Sequence, residues 1–367
     1  MKLIVSKEDI KKVIEKAGKA VDSRAPIPAM QNIYIGADES GTVTVMGGNS
    51  SVTVKQEIQA NVQEAGSVAV SPRIGEVIKA IASDEITMSA GSEEGYCTVE
   101  AGDQSFSIPF IPGSDYPRMP GKKGNEFAID GAGLAEGIRK TIFAASSDEI
   151  RPVLTAVNIS SSGGTIVFLA TDSFRIARTV IKAPAGTPDF SVNVPAASLK
   201  LLLPYIAEDG YISICIAGKR AFFTTGGVEI MTRLIDSAYP DIQRIIDETV
   251  SPAATIRIDR KHLADIIDHV SIVTDSSNVV KLSMADLTIS ARSKEFGSAD
   301  EKFQPAEKTG SDITICFCAK YLKQALKTFD DEEVVIKLAG ALRPFRVSGT
   351  EGPRGKNIQI VVPVRAF

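Results

Sequence analysis

The segment KLIVSKEDIKKVIEKAGKAV, residues 2–21, opens as a strand and continues as a helix, and it recurs twice. The later copies are EFAIDGAGLAEGIRKTIFAAS (residues 126–146) and TIRIDRKHLADIIDHVSIVT (residues 255–274), spaced by about 124 and 129 residues. Each starts with apolar residues two apart: Leu3 and Val5, Phe127 and Ile129, Ile256 and Ile258. That period suits a half-buried strand. Each then changes to helical spacing, as in Ile10, Val13, Ile14 and Ala17. A repeat of this length is the main statement the chain makes about its fold.

A second unit recurs midway through each copy: SVAVSPRIGEVIKAIASDEITMSA (67–90), SVNVPAASLKLLLPYIAEDGYISICIA (191–217) and DITICFCAKYLKQALKTFDDEEVVIKLA (312–339). All three read strand, helix, acidic turn, strand. Ser71-Pro72 places a proline in a first helical turn, where its missing N–H costs nothing. Short alternating runs such as TVTVMG, SVTVKQEI and IQIVVPV fill the rest, divided by Gly, Asn and Ser clusters. This is the grammar of antiparallel hairpins. The pairs Gly47-Gly48 and Gly163-Gly164 read as hairpin turns. Each third should hold two helices and roughly six to eight strands, an α+β class rather than a doubly wound parallel sheet. The stretches 117–124 and 247–254 read as linkers, giving domains over 1–120, 126–247 and 253–367.

With 367 residues, 44% hydrophobic and 23% charged, the chain has ordinary globular composition and room for two or three cores. No apolar run approaches the roughly 20 residues of a membrane helix, and MKLIVSKEDI has no signal-peptide character, so a cytoplasmic location without membrane partners is expected. Cys97, Cys215, Cys316 and Cys318 read as small buried hydrophobes in a reducing compartment, with Cys316 and Cys318 on one strand face. His262 and His269, the two histidines, share one helix and read as solvated and half-buried. No metal site or cofactor is implied, and no nucleotide loop, nucleophile elbow or zinc-protease motif is present.

The net charge of −4 by itself argues weakly against a nucleic-acid partner. Its distribution carries more information. The helical windows 6–20, 71–82, 131–145, 196–206, 259–270 and 318–328 hold about 15 Lys/Arg against about 8 Asp/Glu, roughly +7, leaving roughly −11 elsewhere. Window 259–270 runs against this at about −1, whereas the last carries Lys320, Lys323 and Lys327 with no acid. Helices sharing a surface would make a basic stripe that tracks phosphates. Helix propensity and solubility would also favour Lys and Arg there. The most enzyme-like segment is ATDSFRIA, residues 170–177, in which Asp172, with Asp241, offers two carboxylates for a hydrolase. The alternative is a tight turn, Asp172 bonding backbone amides and Arg175 pairing with it.

ATDSFRIA also resembles the A-T-D-x-x-R-L-A signature in the middle domain of the bacterial DNA polymerase III beta subunits, the DNA sliding clamps. Arg151-Pro152-Val153-Leu154-Thr155, Tyr239-Pro240-Asp241 and Val361-Val362-Pro363-Val364-Arg365 match in order, and length and triplication agree. The resemblance implies three tandem clamp domains, each with two helices packed against antiparallel sheets, in a head-to-tail dimeric ring. It implies a processivity factor without catalysis. Its partners would be duplex DNA held without sequence preference, the DNA polymerase III catalytic subunit, a clamp loader, and replication and repair proteins with clamp-binding peptides. A peptide cleft would be walled by Leu154, Thr171, Arg175, Ile176, Pro240, Arg244, Tyr321, Leu342, Pro344, Val361, Val362, Pro363, Val364 and Arg365. Strand alternation would turn about half of residues 361–364 into core. Phe174 stands where the family commonly has His, and Ala366-Phe367 extends the usual end. Phe106 and Ile108 would meet Ile272 and Val273 of the second subunit. Arg24 and Arg73 match positions near the hole; the charge reading adds Lys11, Lys12, Lys320, Lys323 and Lys327.

Overall fold

The computed structural model describes residues 1–91, 95–350 and 356–365; the tail Ala366-Phe367 lies outside them. Seven α-helices occur among the described residues: α1 (Lys7–Gly18), α2 (Ile74–Ala80), α3 (Gly131–Arg139), α4 (Ala196–Leu202), α5 (Gln243–Glu248), α6 (Arg260–Ser271) and α7 (Ala319–Leu326). Six fall in the expected windows. The seventh, α5, occupies part of what reads as a linker.

Each opening strand feeds its helix as the repeat predicts, and local chemistry sets the junction. The Ser6 hydroxyl accepts the Asp9 N–H at 3.4 Å, and Asp259 accepts that of His262 at 2.7 Å, satisfying amide groups that a helix start leaves open. Helix α1 then buries Ile10, Val13, Ile14 and Ala17. Helix α6 buries Leu263, Ile266, Ile267 and Val270. Each large aliphatic side chain so buried contributes roughly 1.5–3 kcal/mol. His269 falls off that stripe and is exposed beside Glu301 at 3.0 Å, so both histidines face solvent.

Among the described residues the strands number nine, eight and nine in the three copies, slightly more than expected in the first and last. The additions Asn61–Glu64 and Glu307–Gly310 have no apolar alternation and are almost wholly exposed. They add to the outer edge of an opening strand, Leu3 facing Val62 and Ile256 facing Lys308, so backbone pairing rather than an apolar face places them. Gly163 and Gly164, both at positive φ, make the expected two-residue turn. Gly47 and Gly48 instead end the strand Thr42–Gly48. A Cβ at Gly47 would lie 2.1 Å from the Ala17 carbonyl oxygen, so this glycine lets α1 approach the sheet.

The chain forms two compact units, residues 1–132 with 197–234, and 133–196 with 235–367. Both cut through the middle copy, because sheets continue across the repeat boundary. In the first unit Val228–Arg233 pairs with Val52–Gln59 (Ile230 opposite Val54), completing a thirteen-stranded sheet. In the second, Arg175–Lys182 pairs with Asn357–Val361 in a nine-stranded sheet, and a four-stranded sheet of 279–283, 288–293, 297–302 and 314–318 stands separately. The second unit's main core gathers Ile256, Ile258, the buried faces of α6 and α7, Val280, Leu282, Phe317 and Phe345. Cys97 and Cys215 are buried as expected; Cys316 and Cys318 share the half-buried outer face of their strand, Ile315 and Phe317 taking the core side.

Candidate peptide-binding pocket and charged surfaces

The turn 170–177 has a determinate local structure. Asp172 accepts the N–H groups of Phe174 and Arg175, each at 3.0 Å, and pairs with the Arg175 guanidinium at 2.9 Å. The Thr171 hydroxyl donates to the Arg175 carbonyl at 2.6 Å and accepts the Ser173 N–H at 3.1 Å, holding Ser173 at φ 78°. This is the turn reading of the segment. Asp172 is committed to structure, Asp241 accepts the Gln243 N–H at 2.9 Å, and no metal-binding cluster forms among the described residues. Both carboxylates of the hydrolase alternative thus carry local structural hydrogen bonds.

Beside that turn lies a pocket of about 460 Å³, within the range for small-ligand and peptide-anchor sites. Leu154, Thr171, Ile176, Pro240 and Val362 line it, as expected. Ile242 and Ile245 line it as well; sequence reasoning missed them because residues 242–246 were assigned to no helix and the linker was read from 247 on. The signal was available: Ile242, Ile245 and Ile246 have helical spacing, and they pack with Ile176, Ile358 and Ile360 on the outer face of the nine-stranded sheet. Arg151, Pro152, Val153, Ser173, Ser237 and Asp241 complete the wall. The hollow is thus mostly apolar, with a few polar groups at its lip.

The other expected wall residues lie elsewhere. Arg175 is 9% exposed and turned inward, its guanidinium bonded to Gln324 and to the Phe143 carbonyl and stacked on Phe143 and Tyr321 at 5.2 and 4.7 Å. Burial is affordable because every face of the fork finds a partner. Tyr321 therefore supports Arg175 instead of lining the pocket. Val361 faces the core, as alternation requires. Arg244 projects into solvent from α5 and pairs with Glu248 at 3.2 Å. Leu342 is exposed and Pro344 half-buried, both outside the wall. Pro363 is half-buried, also outside it, and Val364 and Arg365 line a neighbouring cavity.

The expected DNA-facing cations are all on or beside helices, with unequal freedom. Glu8 pairs with Lys11 at 3.7 Å and Lys12 at 3.5 Å, Asp22 with Arg24 at 3.8 Å, and Asp268 with Lys323. Arg73, Lys320 and Lys327 are exposed without an ion pair among the described residues. The basic helices are thus partly self-neutralised, which the count along the sequence did not show. At the expected subunit contact, Phe106 and Ile108 pack largely on their own core. Their strand bonds Tyr96–Ala101 on one side, and pairing on the other begins only at Phe110. Residues 104–109 therefore leave one edge open among the described residues. Ile272, just past α6, is 77% exposed, and Val273 packs on its own unit's core.

A triplicated strand–helix unit, helices rich in Lys and Arg and an apolar anchor pocket fit the DNA-clamp class of protein. Models of the N-terminal, central and C-terminal domains of the DNA polymerase III beta subunit match residues 1–120, 128–241 and 250–365. The chain belongs to that family, the bacterial beta sliding clamps. It is similar to the beta sliding clamp of Bacillus subtilis, 28% identical with 100% of each chain covered, and to that of Staphylococcus aureus, 28% identical over 95% of each. The crystal structure of the Bacillus subtilis DNA polymerase sliding clamp has a TM-score of 0.94 at 26% identity over 100% of both chains.

Proposed function

We propose that this chain is a processivity factor that closes with a second copy into a ring around duplex DNA and tethers a replicative polymerase, with no chemistry of its own. The observation that carries the reading is the apolar pocket beside the turn 170–177. Leu154, Ile176, Ile242, Ile245 and Val362 suit the aliphatic or aromatic anchors of an extended client peptide. Thr171 and Ser173 orient its polar part. Ring closure uses the open edge 104–109, with Phe106 and Ile108 of one copy against Ile272 and Val273 of the other. Arg24, Arg73, Lys11, Lys12, Lys320, Lys323 and Lys327 would supply weak, sequence-independent phosphate contacts. Topology then does the holding, and tethering acts as a high effective concentration of the client. Soluble replication partners, the polymerase catalytic subunit and a clamp loader among them, follow from this reading. No helix among the described residues is long and apolar enough to cross a membrane. The experiment is retention on nicked circular DNA after loading, before and after the circle is cut. The protein should leave the linear product by its ends; equal retention on both forms would refute encirclement.

A further inference from the structure

The backbone beyond the strand Asn357–Val361 is held at two points. Val362 N–H donates to the Phe174 carbonyl at 2.9 Å, and Val364 N–H to that of Cys316 at 2.8 Å. This strap divides two hollows. Val362 lines the apolar pocket; Val364 and Arg365 line a second cavity of about 730 Å³ with Lys281, Arg292 and Asp275. Strand register puts Lys281 opposite Ser290 and Cys316, and Arg292 lies two residues beyond Ser290. These side chains share the outward face, while Val280, Leu282, Ile289 and Ala291 join the core.

The cavity's charge is lopsided. Lys281, Arg292 and Arg365 are exposed and have no ion pair among the described residues. The single acid on the wall, Asp275, is engaged by the N–H of Ser277 at 2.9 Å and by its hydroxyl. An extended chain leaving the apolar pocket need only pass from Val362 to Val364, roughly 7 Å, to reach these cations. Resting on the pocket reading above, we propose that client peptides carry an acidic flank which crosses the strap and docks on Lys281, Arg292 and Arg365. Charge complementarity favours an acidic chain, and continuity with the pocket favours a peptide over a nucleic acid. Within this unit the cations assigned to DNA lie on or just after α7, whose buried face joins the core on the inner side of this sheet with Val280 and Leu282, whereas Lys281 and Arg292 are on its outward face.

The test is fluorescence anisotropy on the full chain with three kinds of labelled peptide. One is a short peptide with an apolar pair; the others extend it at either end by Asp-Glu-Asp or by Gln-Ser-Gln. At about 50 mM salt one acidic extension should tighten binding by about fivefold to tenfold over its neutral counterpart, and the gain should fade at about 0.5 M. The double variant Lys281→Glu, Arg292→Glu should abolish the gain and leave the short peptide's affinity unchanged. Equal affinity of acidic and neutral extensions, or a gain that survives in the variant, overturns the acidic-flank proposal while the pocket stands. A short peptide that fails to bind overturns the pocket reading and the flank with it. Loss of retention on circular DNA in the variant, with the peptide gain intact, would assign the patch to phosphate instead.

Discussion

Truncating Arg175 to alanine removes more than one contact at once. The Arg175–Asp172 pair spans 2.9 Å with side chains only 10% and 13% exposed respectively, and the guanidinium also holds Gln324, the Phe143 carbonyl and two aromatic faces. Removing one member of a buried ion pair typically costs about 3–5 kcal/mol, because the other charge is left uncompensated. Asp172 keeps two backbone N–H donors, so the lower end applies, about 3 kcal/mol. At about 1.4 kcal/mol per tenfold this is roughly a hundredfold rise in local opening. Native-state hydrogen exchange read by mass spectrometry on the peptides covering Arg175–Lys182 and Ala319–Leu326 should show it, since Arg175 joins those two elements. Arg175→Lys should fall between, keeping charge but losing the planar fork. Peptide affinity should fall in parallel, through displacement of Thr171 and Ile176 rather than loss of a direct contact. Protection within about threefold of the parent in Arg175→Ala would refute the assignment of Arg175 as the pin of this turn.

The remaining predictions concern assembly and pH. Ile272→Asp alters a side chain that is 77% exposed in the single chain, so its fold should be little affected, while the dimer should dissociate at least about thirtyfold more readily by analytical ultracentrifugation; an unchanged mass at micromolar concentration would remove Ile272 from the interface. Burial pushes the Cys97 thiol from an ordinary 9.0 up to about 11. Its neutral form is thus favoured by folding, and that stabilisation is present below pH 9 and lost as pH rises toward 11. Cys97 should resist a thiol-selective reagent at pH 8 until the protein unfolds, and the parent should lose denaturant resistance between pH 9 and 11 more steeply than Cys97→Ala; ready labelling of native Cys97 would contradict its burial.

The fold was written in the chain to an unusual depth because it is stated three times. Alternation at Leu3 and Val5, then helical spacing through Ala17, is a local pattern, and local patterns fix elements wherever one face must be buried. The turn at Asp172 was also legible, since a short acid followed by an arginine three residues on can satisfy its own backbone without help from elsewhere. The pocket's location was accessible through the family's motifs, and five of its residues were named from them. What the sequence left undecided is direction. Whether Arg175 points into the hollow or into the protein depends on Phe143, Tyr321 and Gln324, which are distant in sequence and meet only after the sheets form. Helix α5 was lost in a stretch too short and too rich in turn residues to stand alone; Ile242 and Ile246 become helical partners because Ile358 and Ile360 are there to bury them. The net count of the helices included Glu8 and Asp268 but could not show that they, with Asp22, stand beside the cations. Periodicity determines which face of an element is covered, but only packing between remote segments decides which atoms cover it and which charges remain to meet a partner.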